Sequence, residues 1–447
     1  MNKGYRFAGD VEVNAVTIVS ASGQSFNIKD MVLEINIYQS IMSHYLQCDI
    51  AIEDAINLGN AVKGNVENSI PDGFNGSELL IVSYRERTDA SLDSKIPFKK
   101  HIFGIYETSD RSRMNENTES YIISGISMEA YQTIPQKINK AYGRDGGNTI
   151  SNMMKSVVNE YVLSNSIKDL YREARMRKTF TCDETSGLQK YIIPSLSVDE
   201  TIDFFTKEAD AEDHYPYFIF YEDSKGFNFR NVPTMIIDAP IDWTYKYFMS
   251  NVSDSNTEEG VEDDDQYKII SYSILKDENI LENVKGGLFK SKTINLDILK
   301  KKTNVSNFDY NKESDNFTTT SNGKFNVEVN GDPIINLTTS RTGHDSDVLF
   351  SKEMPFPKKV NTFFNKKNSY QKQLFNKVIE ISIPGNTTIN VGGVIDLNFF
   401  IHNDIETDKG QLDKLLSGSY LITKVRQKIT DDVFTTLLEC SKGTNLL

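Results

Sequence analysis

LEINIYQSIMSHYLQCDIAIED, residues 33–54, alternates apolar and polar side chains in two runs separated by a polar break. That is the period of half-buried strands. The same alternation continues in ELLIVSYRER (78–87), HIFGIYETSD (101–110) and SYIISGISME (120–129), so most of the first 130 residues read as an antiparallel barrel or sandwich. The connections SIPDGFNGSE (69–78) and TSDRSRMNENTES (108–120) are rich in turn residues and read as exposed loops. Near the other end, VIEISIPGNTTINVGGVIDLNFF (378–400) is followed by the pair SYLITKVRQ and FTTLLECSK, much as LEINIYQSIMSHYLQCDIAIED and ELLIVSYRE are followed by HIFGIYETS and SYIISGISM. The internal repeat predicts two related barrels in one chain. If the chain trimerised about an axis, six similar barrels would surround it and fit a six-fold partner.

Between the β regions the period changes. Ile150, Met153, Met154, Val157, Val158, Tyr161 and Val162 share one helical face, with Asn148 or Thr149 placed to cap its start. A second helix begins at SVDETIDFFTKEAD, where Ser197 and Glu200 have the spacing of a capping box and Ile202, Phe205 and Ala209 form the apolar stripe. YPYFIFYEDSKGFNFRNV (215–232) reads as an aromatic hairpin turning at Asp223 to Gly226. The expected organisation is a first barrel over 1–130, an inserted α/β domain over 131–250 and an acidic flexible loop over 251–265. A second, discontinuous barrel follows over 266–303 and 370–447, interrupted by an inserted arm over 304–369 that is rich in Asn, Thr, Ser, Asp and Lys. The fold class is mainly β with α+β insertions.

The chain of 447 residues is too long for one ordinary domain, and 38% hydrophobic residues with 25 Phe and 21 Tyr can fill large cores. Lys and Arg total 49 against 63 Asp and Glu, a formal charge of −14 that repels phosphate backbones. Cys48, Cys182 and Cys440 are odd in number and lack CxxC spacing, so they read as reduced and mostly buried thiols. The start, MNKGYRFAGDVEV, lacks a signal-peptide core and no run is long enough to span a bilayer, so no membrane insertion is expected.

Motifs for chemistry are weak. His44, His101, His214, His344 and His402 are scattered without HxxxH, HxxE or HxH spacing. Glu262 to Asp265 lacks the glycine and spaced ligands of a calcium loop. Carboxylate pairs such as Glu78 with Asp238, or Glu200 with Asp203, carry no glycosidase signal and read as surface charge and capping. GRDGGN (143–148) lacks the Walker lysine and the GxGxxG spacing of a phosphate loop. Cys48 stands in an alternating strand, where a small buried hydrophobe is expected. Lys424, Arg426 and Lys428 line one face of a strand and read as solvated. Tyr215, Tyr217, Phe218, Phe220, Tyr221, Phe227 and Phe229 read as core packed on the helix at 198–209. No catalytic, cofactor-binding or metal-ligating residue is expected, and the chain is not expected to be an enzyme.

Several segments together resemble the central hub protein of contractile-tailed bacteriophage baseplates. They are VLEINIYQSIMSHYLQCDIAIEDAINL (32–58) with ELLIVSYRE (78–86), IPSLSVDETIDFFTKEAD (193–210) with YFIFYEDSKGFNFRNV (217–232), and GGLFKSKTINLDILKKK (286–302) with NFDY (307–310). KNSYQKQLF (367–375), IPGNTTINVGGVIDLNF (383–399), SGSYLITKVRQKI (417–429) and FTTLLECSK (434–442) complete the set in the family's order. The resemblance implies a homotrimeric ring in which two tube-type barrels per chain give pseudo-six-fold symmetry. One face would meet the tail tube or a tube-initiator protein, the other the central spike protein, which would carry any lysozyme activity. Tape measure protein and baseplate wedges are further implied partners, and DNA would pass through the lumen without specific binding. The expected location is the virion tail baseplate, assembled in the bacterial host cytoplasm. A hub of a related injection machine, such as a type VI secretion spike or a tailocin, fits the same pattern, and a carbohydrate-active enzyme on β domains is the alternative from another class.

Overall fold

A computed structural model describes residues 8–56, 58, 74, 76–87, 97–143, 147–173, 176–211, 217–238, 241–247, 267–297, 301–313, 330–339, 360–400, 412–431 and 433–445. The first β region comprises β1 (Val11–Val19), β2 (Ser25–Asn27), β3 (Val32–Ser40), β4 (Gln47–Asp54), β5 (Leu79–Glu86), β6 (Lys99–Arg113) and β7 (Glu119–Ser127). An α/β insertion follows with α1 (Met128–Thr133), β8 (Lys137–Tyr142), α2 (Ile150–Val157), α3 (Asn165–Glu173), β9 (Thr179–Cys182) and β10 (Tyr191–Ser197). It continues with α4 (Val198–Glu208), β11 (Phe218–Asp223), β12 (Gly226–Asn231) and α5 (Val232–Asp238). The second β region opens with β13 (Ile241–Tyr247) and β14 (Ser271–Lys276), is interrupted by α6 (Ile280–Lys285), β15 (Lys290–Asp297), β16 (Lys302–Asp309), α7 (Tyr310–Glu313), β17 (Ile335–Thr339) and α8 (Val360–Leu374), and closes with β18 (Val378–Pro384), β19 (Val394–Phe399), β20 (Gly418–Thr430) and β21 (Val433–Asn445).

The two β regions repeat one topology. In the first the strand order is β3-β4-β7-β6-β5-β1, and in the second it is β14-β18-β21-β20-β19-β13, so corresponding strands also follow the same chain order. All these pairings are antiparallel except β13 with β19, which is parallel where β1 with β5 is not. The repeat expected from the sequence is present, one strand out of phase: β4 and β5 correspond to β18 and β19, where the sequence aligned β3 and β4 with them.

The two related antiparallel β units are present, and they are joined. Residues Lys424–Thr430 of β20 pair with Glu34–Ser40 of β3, fusing both repeats into one sheet of 13 strands. Each repeat curls back on itself, but among the described residues regular pairing stops short of closure. In the first, β1 meets three residues of β2; in the second, Lys246 bridges Lys268 just before β14. The alternation in the sequence fixes which face is buried, whereas closure depends on where the end strands diverge, and no local pattern encodes that.

Each repeat has its own core. Val16, Ile35, Ile37, Ile50, Leu80 and Val82 lie in the first; Ile379, Ile381, Ile395, Leu397, Leu421 and Leu438 lie in the second. The β20–β21 hairpin serves both, since Val425 and Cys440 pack in the second core while Ile429 and Phe434 at its far end pack in the first.

The helical expectations are met. Thr149 caps α2 by accepting from the Asn152 amide at 3.3 Å, and the helix runs on as a π-helical turn over Val158–Val162. At α4 the capping box forms: Ser197 Oγ accepts from the Glu200 amide at 3.1 Å and Glu200 Oε2 from the Ser197 amide at 2.8 Å. The aromatic hairpin β11–β12 divides its faces. Phe218, Phe220, Phe227 and Phe229 pack with Phe205 of α4 in a third core, while Tyr217, Ile219 and Tyr221 join the core of the second repeat.

The polar stretch after β14 contains the sheet β16-β15-β17, whose faces are reversed relative to a soluble norm. Ser291, Thr293 and Asn295 are buried on the face where α8 supplies Asn365, whose Oδ1 accepts from Thr293 Oγ1 at 2.8 Å and from Asn336 Nδ2 at 3.1 Å. Leu296, Val305, Ile335 and Leu337 point outward and are exposed. FNVEVN (325–330), apart from Asn330, and the acidic segment 250–266 lie outside the described residues, as does most of SIPDGFNGSE.

Candidate functional site

The short connection between β3 and β4 touches all three cores: Ile41 is buried in that of the second repeat, Tyr45 in that of the α/β insertion and Leu46 in that of the first repeat. Around it the β sheet and the insertion are locked together by charge. Tyr45 Oη donates to Asp199 Oδ1 at 2.6 Å and lies 2.7 Å from Thr133 Oγ1. His44, edge-on to Phe220, places Nε2 3.2 Å from Asp203 and Nδ1 3.7 Å from Asp199. Burial alone would lower the imidazole, but hydrogen bonds and charge from Asp199 and Asp203 outweigh it and raise its pKa to about 9.

Beneath lies an ionic cluster. The Leu46 amide and Ser127 Oγ donate to Glu222 Oε2 at 2.9 and 2.6 Å, and Lys178 Nζ donates to Glu222 Oε1 at 2.5 Å and to Glu129 Oε2 at 2.8 Å. Tyr171 Oη also donates to Glu129 Oε2, at 2.9 Å. Both carboxylates are fully buried. Burial drives the Glu222 carboxyl above the usual range despite Lys178; burial would lower Lys178, yet the two carboxylates hold it well above its ordinary value. One ammonium shared by two carboxylates joins the ends of β7, α1, β9 and β11, which is the chemistry of a rigid joint.

Lys178 also borders a cleft of about 880 Å³ whose lining includes Lys155, Lys168, Arg177, Phe180 and Cys182. Lys155 pairs with Glu184 at 2.6 Å. Burial pushes the Cys182 thiol up to about 12, so it is not a thiolate nucleophile near neutrality.

The other residues weighed from sequence fall in structural roles. His101 is buried between the rings of Tyr84 and Phe103, and burial lowers it to about 3. Cys48 and Cys440 are buried. Glu200 caps α4, as expected, but Asp203 faces His44, a pairing that nothing in the local sequence signals. Glu78 accepts from the Gly76 amide at 2.9 Å, while the Asp238 side chain lies outside the described residues. In GRDGGN, Gly143 and Gly147 have positive φ, and a Cβ on Gly143 would stand 2.3 Å from the Gln189 carbonyl oxygen, so the glycines serve a tight turn. Lys424 pairs with Glu439 at 2.7 Å, and Arg426 and Lys428 reach Glu34 at 3.4 and 3.0 Å, the cross-strand pairing of a solvated face. His214, Tyr215, His344, His402 and Glu262 to Asp265 lie outside the described residues. Among the described residues no three His, Cys, Asp or Glu side chains gather as a metal site, and no helix is long and apolar enough to cross a membrane.

No family model matches the sequence, and no curated protein matches it. Solved structures do match the fold. A 43 kDa tail protein of a Shewanella oneidensis prophage superposes with a TM-score of 0.51 at 9% identity, covering 96% of this chain and 98% of that one. A tail protein of Neisseria meningitidis gives 0.49 at 10% identity over 96% of each chain. A component of the E. coli type VI secretion system gives 0.38 at 8% identity over 98% of this chain and 79% of that one. The chain is therefore similar in fold to a prophage tail protein over nearly its whole length.

Proposed function

We propose that this chain is the central hub of a contractile-tail baseplate, a homotrimer that joins a six-fold tail tube to a three-fold spike. The observation that carries the reading is the duplicated six-strand topology within one chain. Three copies would present six nearly equivalent β units, so one face can match six-fold symmetry while the other remains three-fold. Similarity of fold to a prophage tail protein supports the same reading. In this reading the two repeats would form the ring, and the α/β insertion and the 304–369 insertion would widen it.

The mechanism is mechanical. The ionic joint at Lys178 and the connection 41–46 hold the insertion rigidly to the ring, so force at the spike passes to the tube without an intervening hinge. With −14 per chain, a ring of three repels DNA and lets a genome slide through the lumen without adhering. The hub of a related injection machine would use the same geometry.

Electron microscopy of the purified chain, alone and mixed with tube and spike proteins, tests this. The expected particle is a ring with six lobes and a pore of duplex width. A monomer that binds neither protein overturns the reading.

A further inference from the structure

The two repeats are joined inside the chain by β20 of the second and β3 of the first. β20 does this because it is long: Gly418–Leu421 pair with β19, and Lys424–Thr430 extend past that strand to reach β3. Its counterpart β6 is also long. Lys99–Gly104 pair with β5, and beyond Ile105 the strand extends past β5 with β7 as its one partner among the described strands. The counterpart of β3 is β14, and among the described strands it ends the sheet. Ser271 to Leu275 are exposed on both faces, and Ile270, Tyr272, Ile274 and Leu275 present bulky apolar side chains to solvent. The Ser382 carbonyl of β18 is turned toward β14, where it accepts from the Ile270 amide, and Ser382 and Glu380 stand opposite Ser271 and Ser273, so by alternation the amides of Tyr272 and Ile274 point to the open edge. A long, exposed apolar edge is a template for another strand.

We propose that β6 of one copy pairs antiparallel with β14 of a neighbouring copy, reproducing between chains the β20–β3 junction found within each chain. This rests on the hub reading and names its subunit seam. Every junction in the ring is then of one kind, alternating within and between chains, and both open strand edges are consumed. The repeat also sets the register. In the second repeat the ladder runs Lys276, Val378, Ser441, Leu421; in the first it runs Tyr38, Gln47, Ile126, Gly104. Lys276 therefore stands where Tyr38 stands, and Leu421 where Gly104 stands. Tyr38 pairs with Arg426, whose counterpart by the same offset is Ser109. Ser109 of one copy faces Lys276 of the next.

The test is a Ser109→Cys, Lys276→Cys double variant of the full chain, since Cα atoms of opposed strand residues lie within disulfide reach. On oxidation it is expected to run as a covalent species of three times 50.7 kDa on a non-reducing gel, while each single variant stays at 50.7 kDa. Ile274→Pro, which removes an outward amide, is expected to reduce the solution mass three-fold with the circular dichroism unchanged. If light scattering finds a wild-type trimer and the double variant gives no interchain bond, the seam is wrong and the hub reading stands. A wild-type chain that stays monomeric overturns both.

Discussion

Phe434 occupies the space that a side chain on Gly385 would need: a Cβ on that glycine would lie 2.0 Å from Phe434 Cδ1, and the Gly385 amide donates to the Phe434 carbonyl at 2.8 Å. Phe434 belongs to the core of the first repeat, and Gly385 directly follows β18 of the second. Gly385→Ala is expected to destabilise by roughly 2–3 kcal/mol through overpacking, and Phe434→Ala by roughly 3–5 kcal/mol through the cavity it leaves. In the Phe434→Ala background Gly385→Ala should cost less, and additive losses in urea unfolding would exclude the steric account.

Lys178→Met leaves Glu129 and Glu222 buried without their cation, and the expected loss is roughly 3–5 kcal/mol. Burial already raises the Glu222 carboxyl and the variant removes the cation that opposes this, so the defect should shrink as pH falls from 8 to 5. Melting temperatures across that range decide it; a pH-independent defect would mean that lost packing dominates.

His44 has a folded pKa of about 9 against an ordinary 6.5. A raised pKa means its contribution is complete below about 6.5 and is lost as pH rises through about 9. Asp203 is partly exposed, so solvent screening reduces the contribution to roughly 1–2 kcal/mol. His44→Gln should flatten that part of the stability profile between pH 7 and 10, and parallel profiles for the two proteins would refute the assignment.

The strands were legible because one face of each is buried, which imposes alternation on segments such as LEINIYQS and VIEISIP. Their phase was not. β4 and β5 are separated by residues 55–78, whereas β18 and β19 are separated by 385–393, and that difference in loop length drew β3 and β4 into the wrong alignment. β16 and β17 were concealed for another reason: the polar face of their sheet with β15 is the buried one, so the composition from 304 onward resembled an extended arm. The joint around His44 and Lys178 had no local signature. Residues 44, 129, 178 and 222 come from four separate segments, and only tertiary packing brings them to each other and to the Asp199–Asp203 pair on α4.

Lys367 of α8 donates to the carbonyls of Thr206 and Lys207 at 2.9 and 3.3 Å, capping the end of α4 from a different insertion. Lys367→Met should cost about 1 kcal/mol, the scale of a helix-terminal interaction. Hydrogen exchange should localise the loosening to the last turn of α4; no change there would assign Lys367 to solvent.

The β20–β21 hairpin is a party wall between two rooms. A residue inserted within it would turn the wall's side chains over for both cores at once, so neither repeat can be trimmed, swapped or lengthened along this hairpin without its twin. Divergence between relatives of this chain should therefore accumulate as length changes in the insertions at 128–238 and 277–377, with the hairpin held at constant length. Along this hairpin the two repeats of one topology are indivisible.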